Sequence, residues 1–182
     1  PRTNIAWFKE IRKAVGHGVG LMHDPVGLYT YDEAVFVGRA LEELHFTWLE
    51  EPLPDVRQNE LQVLCDVLKI PVLNPESMTT DIDLSAQWLI SGATDKLRAS
   101  ARIGATAILK LAHLAQLHGT TLEMHSAGGL FGLLHTHLTC AVQNTSYYEF
   151  FPGGIRGALG REIVMTNPPI PTDGHVNPPC GP

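Results

Sequence analysis

A chain of 182 residues that is 44% hydrophobic and 18% charged can bury a sizeable core and lacks the composition of a disordered segment, so one globular unit is expected. The formal net charge of −6, with no basic run interleaved with aromatics, argues against a nucleic-acid surface, and no apolar run reaches the ~20 residues of a membrane span. Cys65, Cys140 and Cys180 are odd in number, far apart and outside any CxxC spacing; with no signal peptide in sight, they read as free thiols of a reducing, cytoplasmic compartment.

In chain order, Ile5, Phe8, Ile11 and Val15 form a helical stripe that Gly16 stops. Val19 to Met22 is a short strand that runs into His23 and Asp24 before Pro25 and Gly27 turn the chain. Thr30 or Asp32 caps a helix whose buried face is Ala34, Val37, Ala40, Leu41 and Leu44. Phe46 to Leu49 is a strand ended by Glu50 and Glu51, Asn59 to Leu68 a helix, and Pro71 to Leu73 a strand leading to Asn74, Pro75 and Glu76. Asp81 or Asp83 caps the next helix, with Leu84, Trp88 and Leu89. The period continues with a strand over 94–98, a helix over 105–118, a strand over 121–124 that delivers His125, a helix over 130–142 and a strand near 146–148 ending at Glu149.

The carboxylates Asp24, Glu50 and Glu76 each close an apolar run, and the steps from 24 to 50 and from 50 to 76 are both 26 residues. Strand-end positions near 24, 50, 76, 100, 125 and 149 continue that spacing, as a βα repeat requires and a sandwich or bundle does not. The fold class is therefore α/β, a (β/α)₈ TIM-type barrel with about six of its eight units present, spanning 1–151. The Pro- and Gly-rich stretch 152–182 reads as an extended tail. The sequence opens on Pro1 rather than Met, and the two remaining strand-helix units are expected upstream of it. In a barrel of parallel strands every strand end lies on one rim, where the chemistry sits. Acids gathered there repel unless a cation neutralises them. Oxygen ligands without Cys or a His pair favour Mg²⁺, with Mn²⁺ second, over Zn²⁺. A cation held this way keeps positions open for a small-molecule carboxylate.

Other features have plainer readings. His135 and His137 are spaced i, i+2 on a helix and do not face each other, so they are structural rather than a metal pair. His113 and His118 read as surface residues and Trp48 as core. The Gly128-Gly129 pair is a turn before it is an anion cradle, and Arg98 is expected to form a salt bridge to a neighbouring loop before it holds a substrate.

Asp24, WLEEPLP with Glu50, PVLNPES with Glu76, the helix ATAILKLAHLAQLHG, the strand ending at His125 and YYEFF with Glu149 together resemble the barrel domain of the enolase superfamily, in its mandelate racemase and muconate lactonising group. That resemblance implies Mg²⁺ on Asp24, Glu50 and Glu76, with Glu50 rather than Glu51 as ligand. It implies His125 as an acid or base and Glu149 as a contact for the substrate carboxylate. The implied reaction removes a proton next to the carboxylate of an acid sugar, passes through an enediolate, and then loses a β-leaving group or returns a proton. Relatives of this kind pair the histidine with an aspartate on the preceding strand, whereas 96–106 contains no acid, which points to His125 as general acid for a leaving hydroxyl. The lysine base of a KxK motif and the N-terminal capping domain of such relatives are not in this sequence, and Val26 stands where a polar residue is common. The resemblance thus implies a dehydratase that forms a homo-oligomer at full length. A racemase, epimerase or cycloisomerase is the second reading, and a non-catalytic fragment the third.

Overall fold

The computed structural model describes residues 1–78, 80–125, 129–150 and 168–179. Gly128, Cys180 and the 152–167 part of the expected tail lie outside them. Where one unit was expected, the chain divides into two compact ones, residues 1–78 with 86–97 and residues 79–85 with 98–182.

The first unit opens with helix α1 (Arg2–Val15), strand β1 (Met22–His23), helix α2 (Tyr31–Glu43) and strand β2 (Trp48–Glu50). A short 3₁₀ turn (Asp55–Arg57), helix α3 (Gln58–Val67) and strand β3 (Val72–Asn74) follow. Helix α4 (Ile82–Ile90) and strand β4 (Lys96–Ala99) each straddle the division between the units. β1, β2, β3 and the start of β4 lie side by side in sequence order, with Met22 opposite Trp48, Leu49 opposite Val72 and Leu73 opposite Lys96, every pair parallel. Sequence-ordered parallel strands joined by helices are the connectivity of a β/α barrel. All residues of β2 and β3 are buried, which explains why these strands read as continuous runs instead of alternating ones.

Capping and close packing fix the helices. The hydroxyl of Thr30 accepts the Glu33 N–H while the Glu33 carboxylate accepts the Thr30 N–H, a reciprocal cap worth ~1 kcal/mol. α2 turns Ala34, Val37, Gly38 and Leu41 inward. Gly38 is there for space: a Cβ on it would stand 2.5 Å from a Leu68 methyl carbon. Arg12, 6% exposed, donates to the carbonyls of Gly16, Val19, Leu44 and His45 and lies over the Phe46 ring, tying the end of α1 to the end of α2.

The second unit holds the end of β4, a 3₁₀ turn (Ala101–Ile103), helix α5 (Ala105–Leu117), strand β5 (Leu122–Met124) and helix α6 (Gly129–Ala141). β5 neighbours β4, with the His125 N–H donating to the Ala99 carbonyl at 2.8 Å. The strand expected near 146–148 is reduced to one parallel bridge, Met124 to Tyr148. Within 168–179 two short strands, β6 (Pro171–Thr172) and β7 (His175–Val176), pair antiparallel around Asp173 and Gly174, a ribbon that the Pro-rich sequence does not announce. Among the described residues no helix is long and apolar enough to cross a membrane.

Candidate functional site

Each candidate carboxylate of the first unit follows or ends a strand. Asp24 comes after β1, is exposed, and accepts the Val26 N–H at 2.7 Å in a tight turn where Val26 itself holds φ 54, a value disfavoured for a β-branched residue. The same turn is docked onto the next strand end, with the Gly27 N–H donating to the Glu51 carbonyl and the Tyr29 N–H to Pro52. Glu50 ends β2, is 6% exposed, and accepts the indole N–H of Trp48 at 3.0 Å, so this tryptophan is both core and a holder of Glu50. Glu76 is half-buried two residues beyond β3, after the cis peptide between Asn74 and Pro75.

Two acids beside these were not singled out by their spacing. Glu51 is as buried as Glu50 and also held at φ 38. Burial first, and then the charges of Glu76, Asp55, Asp24 and Glu50, push its carboxyl up to about 8. Asp55, 6% exposed, accepts from the Asn74 amide and from the Met78 N–H, both at 3.0 Å, with the backbone of Ser77 and Glu76 also donating. Desolvation nevertheless raises its carboxyl above the usual range. Asp55 therefore braces the turn that carries Glu76. Asn74, wholly buried, spends its amide N–H on Asp55 and leaves its Oδ1 without a hydrogen-bond partner among the described residues. The only sequence signal for Asp55 was an acid after Pro54 in a helix first turn, which is ordinarily a cap.

Asp24, Glu50 and Glu76 thus act together electrically on Glu51, yet among the described residues no three His, Cys, Asp or Glu side chains are drawn together as ligands. The donor chemistry fits a hard divalent cation: every group is a carboxylate or amide oxygen, and the charges crowded on Glu51 are what such an ion would relieve.

In the second unit the candidates meet at Arg98 of β4. Its guanidinium, 4% exposed, donates to Glu149 Oε2 at 2.8 Å and sits 3.3 Å from His125 Nδ1. Glu149 Oε2 is 3.7 Å from the same Nδ1. The salt bridge expected of Arg98 therefore exists, to Glu149, so the residue read as a substrate contact already carries a cation. His135, 1% exposed, accepts the Ala101 N–H on Nε2, and burial, followed by the charges of His125, Arg98 and Arg102, pushes its pKa down to about 4. It is a neutral structural residue, as its spacing from His137 implied.

Sequence-ordered parallel βα units whose strand ends carry acids define a barrel-type α/β domain. The chain belongs to the enolase C-terminal domain-like family, which it matches over residues 1–182. It is similar to the arabinonate dehydratase of Saccharolobus solfataricus, 27% identical over 144 residues, covering 78% of this chain and 38% of that protein. The L-talarate/galactarate dehydratase of Salmonella typhimurium is 29% identical over 150 residues, covering 81% of this chain and 36% of that protein. The crystal structure of D-glucarate dehydratase from Agrobacterium tumefaciens complexed with magnesium superposes with a TM-score of 0.75 at 33% identity, covering 82% of this chain and 38% of that one. The chain thus spans well under half the length of these relatives, which are acid-sugar dehydratases.

Proposed function

We propose that the protein to which this chain belongs is a Mg²⁺-dependent acid-sugar dehydratase. The observation that carries the reading is the buried Glu51 carboxyl, pushed up to about 8 by desolvation and by the charges of Glu76, Asp55, Asp24 and Glu50, a concentration of negative charge that a bound cation would offset. The kinship with dehydratases, one of them complexed with magnesium, supports it.

Asp24, Glu50 and Glu76 would hold the cation, with Trp48 fixing Glu50 and Asp55 bracing the turn of Glu76. When bound, Mg²⁺ supplies positive charge that stabilises the oxygens of an enediolate and lowers the barrier to its formation. A base takes the proton from the carbon next to the substrate carboxylate, and the electron pair enters the enediolate. The β-carbon–oxygen bond then breaks toward oxygen. His125, as imidazolium with Nδ1–H facing Glu149, gives its Nε2 proton to that oxygen, which leaves as water. The enol that remains becomes a 2-keto-3-deoxy acid. Glu149 takes part through His125 and Arg98. A small-molecule acid sugar is thus the partner, and cytoplasmic catabolism by a homo-oligomer the setting of the reading.

Two measurements test it. Millimolar Mg²⁺ is expected to raise the melting temperature of the parent protein and not that of Glu76→Gln, since a ligand that binds only the native state stabilises it; an equal rise in both, or none in either, overturns the metal assignment. Incubation with a library of acid sugars in D₂O is expected to yield 2-keto-3-deoxy acids. Recovery of a deuterated epimer instead makes the protein an epimerase.

A further inference from the structure

Arg98 is a buried charged side chain of the second unit, 3% exposed, whose single nitrogen Nη2 serves both candidate catalytic residues: 2.8 Å to Glu149 Oε2 and 3.3 Å to His125 Nδ1. A guanidinium carries only N–H donors and does not deprotonate in proteins. Its hydrogen bond to an imidazole nitrogen therefore requires a lone pair on Nδ1, and a neutral ring with its lone pair there carries its hydrogen on Nε2. If the ring gains a second proton, that proton goes to Nδ1. The bond from Arg98 is then lost, and Glu149 Oε2, 3.7 Å away, becomes the acceptor. Nε2 bears hydrogen in both charge states. Among the groups bearing on this ring are Arg98 from β4, Glu149, and His135 from α6, which is itself held neutral by burial.

We propose that Arg98 is a positioning residue that keeps a proton on Nε2 of His125 in both charge states, so that this histidine donates protons and does not abstract them. A carboxylate beside Nδ1 would accept from Nδ1–H and leave the lone pair on Nε2, whereas Arg98 does the reverse. The inference rests on the reading of His125 as the acid of a dehydration and sharpens it, because an epimerase using His125 needs the Nε2 lone pair. In the donating step the imidazolium gives its Nε2 proton to the departing hydroxyl oxygen, which becomes water, and the ring is left with Nδ1–H on Glu149. Exchange with solvent, Nδ1 losing its proton and Nε2 gaining one, restores the form that accepts from Arg98.

Nitrogen-15 NMR of histidine-labelled complete protein tests this, with the His125 signal identified by its loss in His125→Gln among the nine histidines of this chain. Above the His125 titration the Nε2–H tautomer is expected in about tenfold excess, the bias a charged donor supplies. Arg98→Met is expected to abolish that excess, and Glu149→Gln to preserve it. A purely structural arginine would lower the melting temperature without changing the tautomer. An Nδ1–H tautomer in the unaltered protein, or an excess that survives Arg98→Met, overturns the proposal; if Arg98→Met does not fold, the tautomer of the unaltered protein still decides. A protein inactive on every acid sugar but with an Arg98-dependent Nε2–H tautomer would sink the dehydratase reading and leave this one standing.

Discussion

In the first unit burial, and then the charges of four other acids, push the Glu51 carboxyl up to about 8, whereas in the second unit Glu149 has a guanidinium at 2.8 Å and His135 is kept neutral with its Nε2 hydrogen-bonded to backbone. In the second unit the charged candidates are paired within the chain, although His135 Nδ1, Thr139 Oγ1 and Thr145 Oγ1 are buried without a hydrogen-bond partner among the described residues. The first leaves an excess of negative charge that lowers the stability of the bare protein, and a divalent cation would reverse that sign. The difference separates a region whose candidate carboxylate is neutralised by a guanidinium of the same chain from one whose acids raise the cost of one another's charge.

Asp55→Ala is the strongest way to break that contrast. It strands the buried Asn74 amide and the Met78 N–H, and a loss of about 3 kcal/mol is expected in a denaturant or thermal melt, with a smaller Mg²⁺ shift because the turn bearing Glu76 loosens. An unchanged melt and an unchanged Mg²⁺ response would show that the acids of the first unit are independent of one another.

The second unit answers to pH through His135. Its folded value of about 4 lies below the ordinary 6.5, so between these values the unfolded chain binds a proton that the folded one refuses. The stabilisation is complete above pH 6.5 and is lost as the pH falls toward 4, by about 3 kcal/mol. His135→Gln retains an acceptor for the Ala101 N–H and removes the titration, so its stability is expected to fall less than the parent's across that window. Parallel pH profiles for the two proteins would show that His135 is not the group responsible. The smallest effect, and opposite in sign, is expected of Glu51→Gln: a gain of about 1 kcal/mol in metal-free neutral buffer, from removing a buried carboxyl that must be held protonated there. A loss there would mean that Glu51 is engaged favourably in the bare protein.

Much of this architecture was legible in the sequence because helix starts and buried faces are local properties. The Thr30 cap, the Ala34, Val37 and Leu41 face and the 26-residue step between carboxylates all report strands and helices before any contact is known. Strand limits were less so: β1 falls at Met22–His23 rather than over 19–22, because pairing with Trp48 and Leu49, not the apolar run itself, selects its residues. The expected sixth strand has only the Tyr148 bridge for the same reason. Asp55 was hidden because its partners, Asn74 and Met78, are about twenty residues on, and no spacing rule links a first-turn acid to a later turn. The absence of an acid over 96–106 was plain in the sequence. That Arg98 reaches Nδ1 in its place was not, since side-chain reach across β4 and β5 is a tertiary fact.

Arg12 has a practical consequence for anyone trimming this chain. Its guanidinium donates to four carbonyls, two in the segment leading to β1 and two just after α2. A shortened version starting after Gly16 would keep every strand and every candidate acid, yet uncap α2 and unmoor the chain that enters β1. The minimal first unit is therefore set by one side chain of α1, and α1 is its clasp rather than a removable leader.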